Sequence, residues 1–144
     1  MNKKIIINRG LPFLWLIVIW GHSLMPGEVS GGESSFITGI IIKILPFIKN
    51  GEQAETFIRK TAHFTEFAIL AVLIAIAFST IIKPGIKLAL NTALSGLFAA
   101  FVDETVQLFV EGRSGEVKDM WIDFAGVCVG ALITLLILRR KRRS

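Results

Sequence analysis

Ionisable and amide side chains occur at helical spacings beside long apolar runs in this sequence. His63 and Glu66 are three residues apart at the start of the apolar run 64–82, so both would lie on one helix face. Asp103 and Gln107 are four residues apart near the end of another run and would also share a face. Imidazole and carboxylate groups act as general bases and as metal ligands, so these positions are candidates for chemistry.

Further charged residues extend this set. Glu104 lies in the segment "DETVQ", and Asp119 and Asp123 are four residues apart at the start of the last apolar run. Lys60 and Arg113 are cations that can hold a phosphate or a carboxylate by charge-assisted hydrogen bonds. The candidate catalytic residues are His63, Glu66, Asp103 and Glu104. The candidate ligand-binding residues are Lys60, His63, Glu66, Asp103, Glu104, Gln107, Arg113, Asp119 and Asp123.

The elements that must position these residues are helices that cross a membrane. The chain has 144 residues, of which 53% are hydrophobic, and its mean hydropathy is +0.66. A helix needs about 20 predominantly apolar residues to cross a bilayer. The sequence therefore predicts a single all-α domain over 1–144, an integral membrane four-helix bundle. Its predicted spans are about 5–25, 61–82, 86–110 and 119–138.

Two segments near the start of the chain allow further interpretation. The segment "FITGIIIKILPFIK" at 36–49 is too short to span and is interrupted by Pro46. It predicts a short interfacial or re-entrant helix between spans one and two. The first span also resembles a signal peptide that would be cleaved near Ser23, although it meets the usual small-residue pattern poorly.

Basic residues mark one side of the predicted bundle. They lie at the N-terminus, in the link between spans two and three, and in the C-terminal segment "RRKRR". Because cytoplasmic flanks are enriched in Lys and Arg, we predict a multi-pass cell-membrane protein with both termini cytoplasmic. This orientation places the polar residues of every span at its outer end. The same basic clusters explain the net charge of +5, so no nucleic-acid partner is expected.

Two small residues in the last span favour close packing against another helix. Gly126 and Gly130 form a G-x-x-x-G face that allows close helix contact, and a homo-oligomer could form through it. Cys128 is the only cysteine, so no intrachain disulfide can form.

A purely structural role explains some of the charged residues better than others. Asp119 at a helix start suits the helix dipole, and Lys60 suits a membrane interface. Asp103 and Glu104 fit such a role poorly, because they lie inside an apolar span near its negative end. Ionisable groups at that depth usually face a bundle interior or a wet cavity.

The quoted motifs resemble those of the VanZ-like family of small membrane proteins. The similarity covers roughly 11–138 and is carried by "KTAHFTEFAIL" at 60–70 and "DETVQLFVEGRSGEVKDMWIDFAGVCVG" at 103–130. The residues that match the family pattern are Lys60, His63, Glu66, Asp103, Glu104, Gln107, Gly112, Arg113, Asp119, Gly126 and Gly130. Two positions depart from it: Phe67 replaces the usual tyrosine, and Asp123 replaces the usual asparagine.

The resemblance implies a location and an effect rather than a reaction. The family is named for a glycopeptide-resistance accessory that lowers susceptibility to teicoplanin. It implies a bacterial membrane protein of the cell envelope, with an influence on the action of glycopeptide antibiotics.

Three active functions remain open, beside a purely structural role as a membrane subunit. The first is action at the outer leaflet on a membrane lipid or a lipid-linked, peptidoglycan-related precursor. The second is an intramembrane hydrolase or transferase, although no H-E-x-x-H or other strong metal motif occurs, so whether the chain is an enzyme is left open. The third is a small proton-coupled transporter that uses its carboxylates as a relay. No cofactor is predicted, and a divalent metal ion is the alternative.

Overall fold

The described part of the chain forms four α-helices. The structure is a computed structural model that describes residues 3–26, 51–113 and 115–142. The helices are α1, Lys3–Ser23; α2, Gly51–Phe78; α3, Ile86–Gln107; and α4, Val117–Lys141. All four are long and apolar enough to cross a membrane, and no strand occurs among these residues. The predicted all-α, four-helix membrane bundle is therefore confirmed, whereas the predicted helix at 36–49 lies outside the described residues.

The helices begin and end at other residues than the predicted spans, because polar residues, which the apolar pattern does not take into account, also extend helices. Helix α2 already begins at Gly51, because the polar segment before Lys60 is rich in residues that favour a helix. Helix α3 ends at Gln107, and turns follow it. Helix α4 continues to Lys141, where basic residues interact favourably with the negative end of the helix dipole.

The tightest packing lies between α2 and α4. A Cβ atom added at Gly126 would collide with the carbonyl oxygen of Phe64, and one at Gly130 with that of Ala68. The glycines thus allow the two backbones to approach closely, as small residues do in membrane bundles. The predicted close contact is confirmed, and it lies within one chain. A homo-oligomer that used the same glycines would have to replace it.

A compact apolar core lies beside this contact. Phe67, Leu70 and Ala71 of α2 are fully buried and pack with Val127 of α4 and Ile19 of α1. Phe67 therefore serves the core. The opposite surfaces carry many exposed large apolar side chains, which suit contact with lipid.

The polar side chains gather at one end of the bundle, which we call the polar end. It consists of the end of α1, the first half of α2, the end of α3 and the start of α4. Ser23 of α1 reaches Asp103 of α3, and Lys60 of α2 reaches Asp119 of α4. At the opposite end, Arg9 Nε donates to Thr80 Oγ1 at 3.1 Å.

An apolar groove of about 820 Å³ runs along the bundle away from the polar end. Helix α1 supplies one wall with Phe13, Leu16 and Trp20, and the other walls come from α2 and α3, including Phe78 and Phe98. Its position within the candidate membrane spans makes it accessible to lipid chains.

Candidate functional site

Asp103 is one of two fully buried acids at the polar end, and Asp123 is the other. The Asp103 side chain is fully buried, and the four residues before it in α3, 99–102, are all apolar. Ser23 Oγ donates to its Oδ1 at 2.6 Å, and Gln107 Nε2 donates to its Oδ2 at 2.8 Å. These bonds fix the carboxylate from α1 and from the next turn of its own helix.

His63 brings Asp103 together with Asp123. His63 Nδ1 lies 3.8 Å from Asp103 Oδ2 and 3.5 Å from Asp123 Oδ1. We call these three residues the buried triad; they come from α2, α3 and α4, and their ligand atoms lie within 4.8 Å of one another. Asp123 is fully buried, and neither of its oxygens accepts a hydrogen bond from another described residue.

A small cavity opens beside the triad, and we call it the polar cavity. Its volume is about 10 Å³, which is room for about one water molecule. The lining residues are Arg59, Lys60, His63, Glu104, Gln107, Asp119, Ile122 and Asp123. The lining contains three acids, two cations and one histidine, so the cavity offers both hydrogen-bond donors and acceptors to a ligand.

Glu104 adds a third carboxyl group to the cavity wall. Its Oε2 accepts the backbone N–H of Glu116 at 2.8 Å, so it also ties the end of α3 to the residue just before α4. Its Oε1 is buried and accepts no hydrogen bond within the described residues.

Lys60 and Arg59 differ in how they are used. Lys60 Nζ forms an ion pair with Asp119 Oδ1 at 2.9 Å, which joins α2 to α4 across the cavity. Arg59 forms no hydrogen bond or ion pair with another described residue, although it lines the same cavity. Within the described part of the chain, Arg59 is therefore a cavity-lining cation that could bind an anionic ligand.

Glu66 belongs to a second, separate polar pair. His22 Nδ1 of α1 lies 3.3 Å from Glu66 Oε1. Trp15 Nε1 donates to the backbone carbonyl of Glu66 at 2.9 Å, which adds a second tie between α1 and α2. Glu66 therefore meets α1, whereas His63, on a neighbouring part of the same helix, meets α3 and α4.

Arg113 binds backbone rather than carboxylates. Its Nη2 donates to the His22 carbonyl at 3.0 Å and its Nε to the Met25 carbonyl at 3.2 Å. Gly112, at φ 73°, makes the left-handed turn that precedes it. Burial lowers the pKa of Arg113 from its ordinary value, but a guanidinium remains charged at neutral pH. It secures the carbonyl end of α1 and forms no ion pair with a carboxylate of the described residues.

The structure thus divides the nine predicted residues. Six of them line the polar cavity, namely Lys60, His63, Glu104, Gln107, Asp119 and Asp123. Asp103 adjoins them through Gln107 and His63. Glu66 and Arg113 lie in separate contacts with α1.

Three residues outside the predicted set also take part. Ser23 and His22 are the α1 partners of the acids, and Arg59 lines the cavity. The signal for Ser23 and His22 was their place at the outer end of the first predicted span. Arg59 directly precedes Lys60 in the sequence.

The fold and the site together define a multi-pass membrane protein of four helices with a buried histidine–carboxylate cluster at one end. The family model described as VanZ/LLP1 matches residues 11–138, which is nearly the whole chain. The protein belongs to the VanZ/LLP1 family. No curated protein and no solved structure matches the chain.

Proposed function

We propose that this VanZ/LLP1-family protein acts at the outer leaflet of the cell membrane on an anionic, lipid-linked molecule of the cell envelope. The observation that carries the proposal is a cation, Arg59, that has no hydrogen bond or ion pair with another described residue and lies beside a polar cavity in an otherwise apolar bundle. A phosphate-bearing head group would meet the guanidinium at the cavity rim, because that planar fork matches phosphate geometry. The lipid chain would lie along the apolar surface of the helices.

Two further features support a lipid ligand over a soluble one. The apolar groove of about 820 Å³ is far larger than the polar cavity of about 10 Å³, so the room for a ligand is mainly apolar. The exposed apolar surface of the helices supports contact between lipid chains and the apolar groove. The polar cavity accepts part of a head group at most.

Binding of a polyprenyl phosphate to the purified protein, measured by native mass spectrometry, tests this proposal. Loss of a hydrogen bond to a charged group costs about 1.5–3 kcal/mol, so Arg59→Gln should weaken binding by about 10- to 100-fold. The matched control is Lys87→Gln, an exposed cation at the opposite end of the bundle, which should bind like the parent. Equal binding of the uncharged polyprenol, or an equal loss in the control, would contradict the proposal.

The effect on antibiotic action is a finer proposal that needs cells. Expression of the protein in a teicoplanin-susceptible bacterium should raise the teicoplanin concentration needed to stop growth. Arg59→Gln should remove the increase while the protein reaches the membrane at the parental level. Unchanged susceptibility with the parental protein would exclude this role for this member of the family.

An intramembrane hydrolase is the second candidate. It is favoured by a cavity with room for about one water, lined by His63 and Glu104, either of which can act as a general base. Phosphate release from a polyprenyl diphosphate by the purified protein, abolished in His63→Ala, would support catalysis. If the polyprenyl diphosphate stays intact during long incubation with the parent protein, the hydrolase is excluded and only the binding function remains.

A further inference from the structure

We infer that His63, Asp103 and Asp123 bind one divalent transition-metal ion of the Zn²⁺ class between α2, α3 and α4. The inference goes beyond the proposed lipid binding and does not depend on it. Three observations carry it: the separation of the donor atoms, the unpaired state of buried groups, and the way in which Asp103 is held.

The separations within the buried triad suit a shared metal ion better than direct hydrogen bonds. His63 Nδ1 lies 3.5 Å from Asp123 Oδ1 and 3.8 Å from Asp103 Oδ2. Hydrogen bonds between nitrogen and oxygen are shorter, about 2.7–3.2 Å. Zinc binds nitrogen and oxygen at about 2.0–2.2 Å, so two tetrahedral ligands are about 3.4 Å apart. The two distances from His63 are thus close to the spacing of neighbouring ligands around one ion, and all three donor atoms lie within 4.8 Å of one another.

Asp123 is a buried acid whose one ion-pair partner among the described residues is His63, which is charged only when it is protonated. It is fully buried, and neither oxygen has a hydrogen-bond donor among the described residues. His63 Nδ1 is likewise buried without a hydrogen bond. A buried charge without a partner is costly, particularly inside a membrane span, and coordination would satisfy both groups at once.

Asp103 accepts hydrogen bonds of the kind that usually orient the carboxylate ligands of a metal ion. Ser23 Oγ and Gln107 Nε2 both donate to this carboxylate, at 2.6 Å and 2.8 Å. Hydrogen bonds of this kind orient ligating carboxylates and tune the metal site. They explain why a serine of α1 and an amide of α3 meet on one buried acid.

The donor set selects the metal class. One imidazole nitrogen with two carboxylate oxygens suits a transition metal, since magnesium and calcium prefer oxygen ligands alone. The polar cavity adjoins His63 and Asp123 and has room for about one water, which would complete four ligands. Glu104 lines the same cavity and is the protein alternative for that position.

A protonated His63 between two carboxylates would account for the same charges without a metal. In that case the triad would not bind Zn²⁺, and Asp123→Asn would have the same metal content as the parent protein. The two states therefore predict opposite results in one binding experiment.

The test uses purified full-length protein without a polyhistidine tag, stripped with a chelator and then titrated with Zn²⁺. We expect about one Zn²⁺ per chain by elemental analysis, and visible absorption bands of tetrahedral cobalt when Co²⁺ replaces it. His63→Ala and Asp123→Asn should each weaken Zn²⁺ binding by more than about 100-fold, and Ser23→Ala by about 10-fold, as for outer ligand partners.

Matched controls lie at the same end of the molecule. His22→Ala removes the histidine of the second pair, and Glu111→Gln removes an exposed acid beyond the end of α3. Both should keep parental metal binding. Zn²⁺ should also raise the melting temperature of the parent but not that of Asp123→Asn, the variant closest in shape. Absence of Zn²⁺ binding by folded parent, or an equal loss in His22→Ala, would overturn the inference.

Discussion

At the residue scale, the polar end is organised around Asp103 rather than around the His63–Glu66 pair. Spacing along the sequence correctly places His63 and Glu66 on one helix, but it contains no information about which neighbouring helix each side chain meets. Glu66 pairs with His22, whereas His63 meets Asp103 and Asp123. Tertiary packing of α1 decides this division. The types of residue in the site could be predicted from the sequence, but which residues contact one another could not.

Removal of the Ser23 hydroxyl should show how much its hydrogen bond to Asp103 contributes to the stability of the protein. Ser23→Ala leaves a buried oxygen of Asp103 without its 2.6 Å donor. An unsatisfied buried acceptor costs about 1–3 kcal/mol, so the thermal unfolding temperature in detergent should fall. The control is Ser79→Ala, whose hydroxyl donates only to the nearby Ile76 carbonyl, and it should unfold close to the parent. Equal stability of Ser23→Ala and the parent would show that the bond contributes little.

At the element scale, the contact between α2 and α4 determines how the site is assembled. It brings His63 and Lys60 of one helix to Asp123 and Asp119 of the other. The G-x-x-x-G spacing predicted a close contact, because small residues at one face have few other uses in a membrane helix. The helix that packs against these glycines could not be predicted, since a helix face made of small residues can pack closely against any helix of suitable shape.

Alanine at the two glycines of α4 should weaken the bundle selectively. The Cβ atoms of Gly126→Ala and Gly130→Ala would overlap backbone of α2, and such overpacking costs about 1–3 kcal/mol. Gly21→Ala is the control, because nothing lies near its added Cβ and alanine favours a helix more than glycine does. Thermal unfolding should therefore separate the variants in opposite directions. If all three melt alike, the close contact is absent in the membrane.

At the scale of the whole molecule, the bundle has one polar end and an apolar body. Apolar length and charge distribution were sufficient to predict four membrane helices, because both are set by the bilayer itself. The extension of α2 to Gly51 was not predicted, since polar helix formers leave no trace in an apolar pattern. The orientation remains a prediction from the basic residues.

Cysteine labelling of intact cells tests that orientation. In a Cys128→Ser background, Glu111→Cys at the polar end should react with a membrane-impermeant maleimide, and Arg142→Cys should not. Both positions are exposed, so reactivity reports the side of the membrane rather than burial. After the cells are broken open, both should react. Labelling of Arg142→Cys in sealed cells would reverse the orientation.

The lipid that leaves the membrane with the protein tests the central claim most directly. The protein should be extracted in polymer nanodiscs without added lipid, and the bound lipids identified by native mass spectrometry. We expect the parent to retain a lipid-linked phosphate-bearing envelope molecule, enriched above bulk phospholipid, and Arg59→Gln to lose that enrichment while Lys87→Gln keeps it. If the parent carries only bulk phospholipids, in the same proportions as Arg59→Gln, action on such a molecule at the polar end is contradicted.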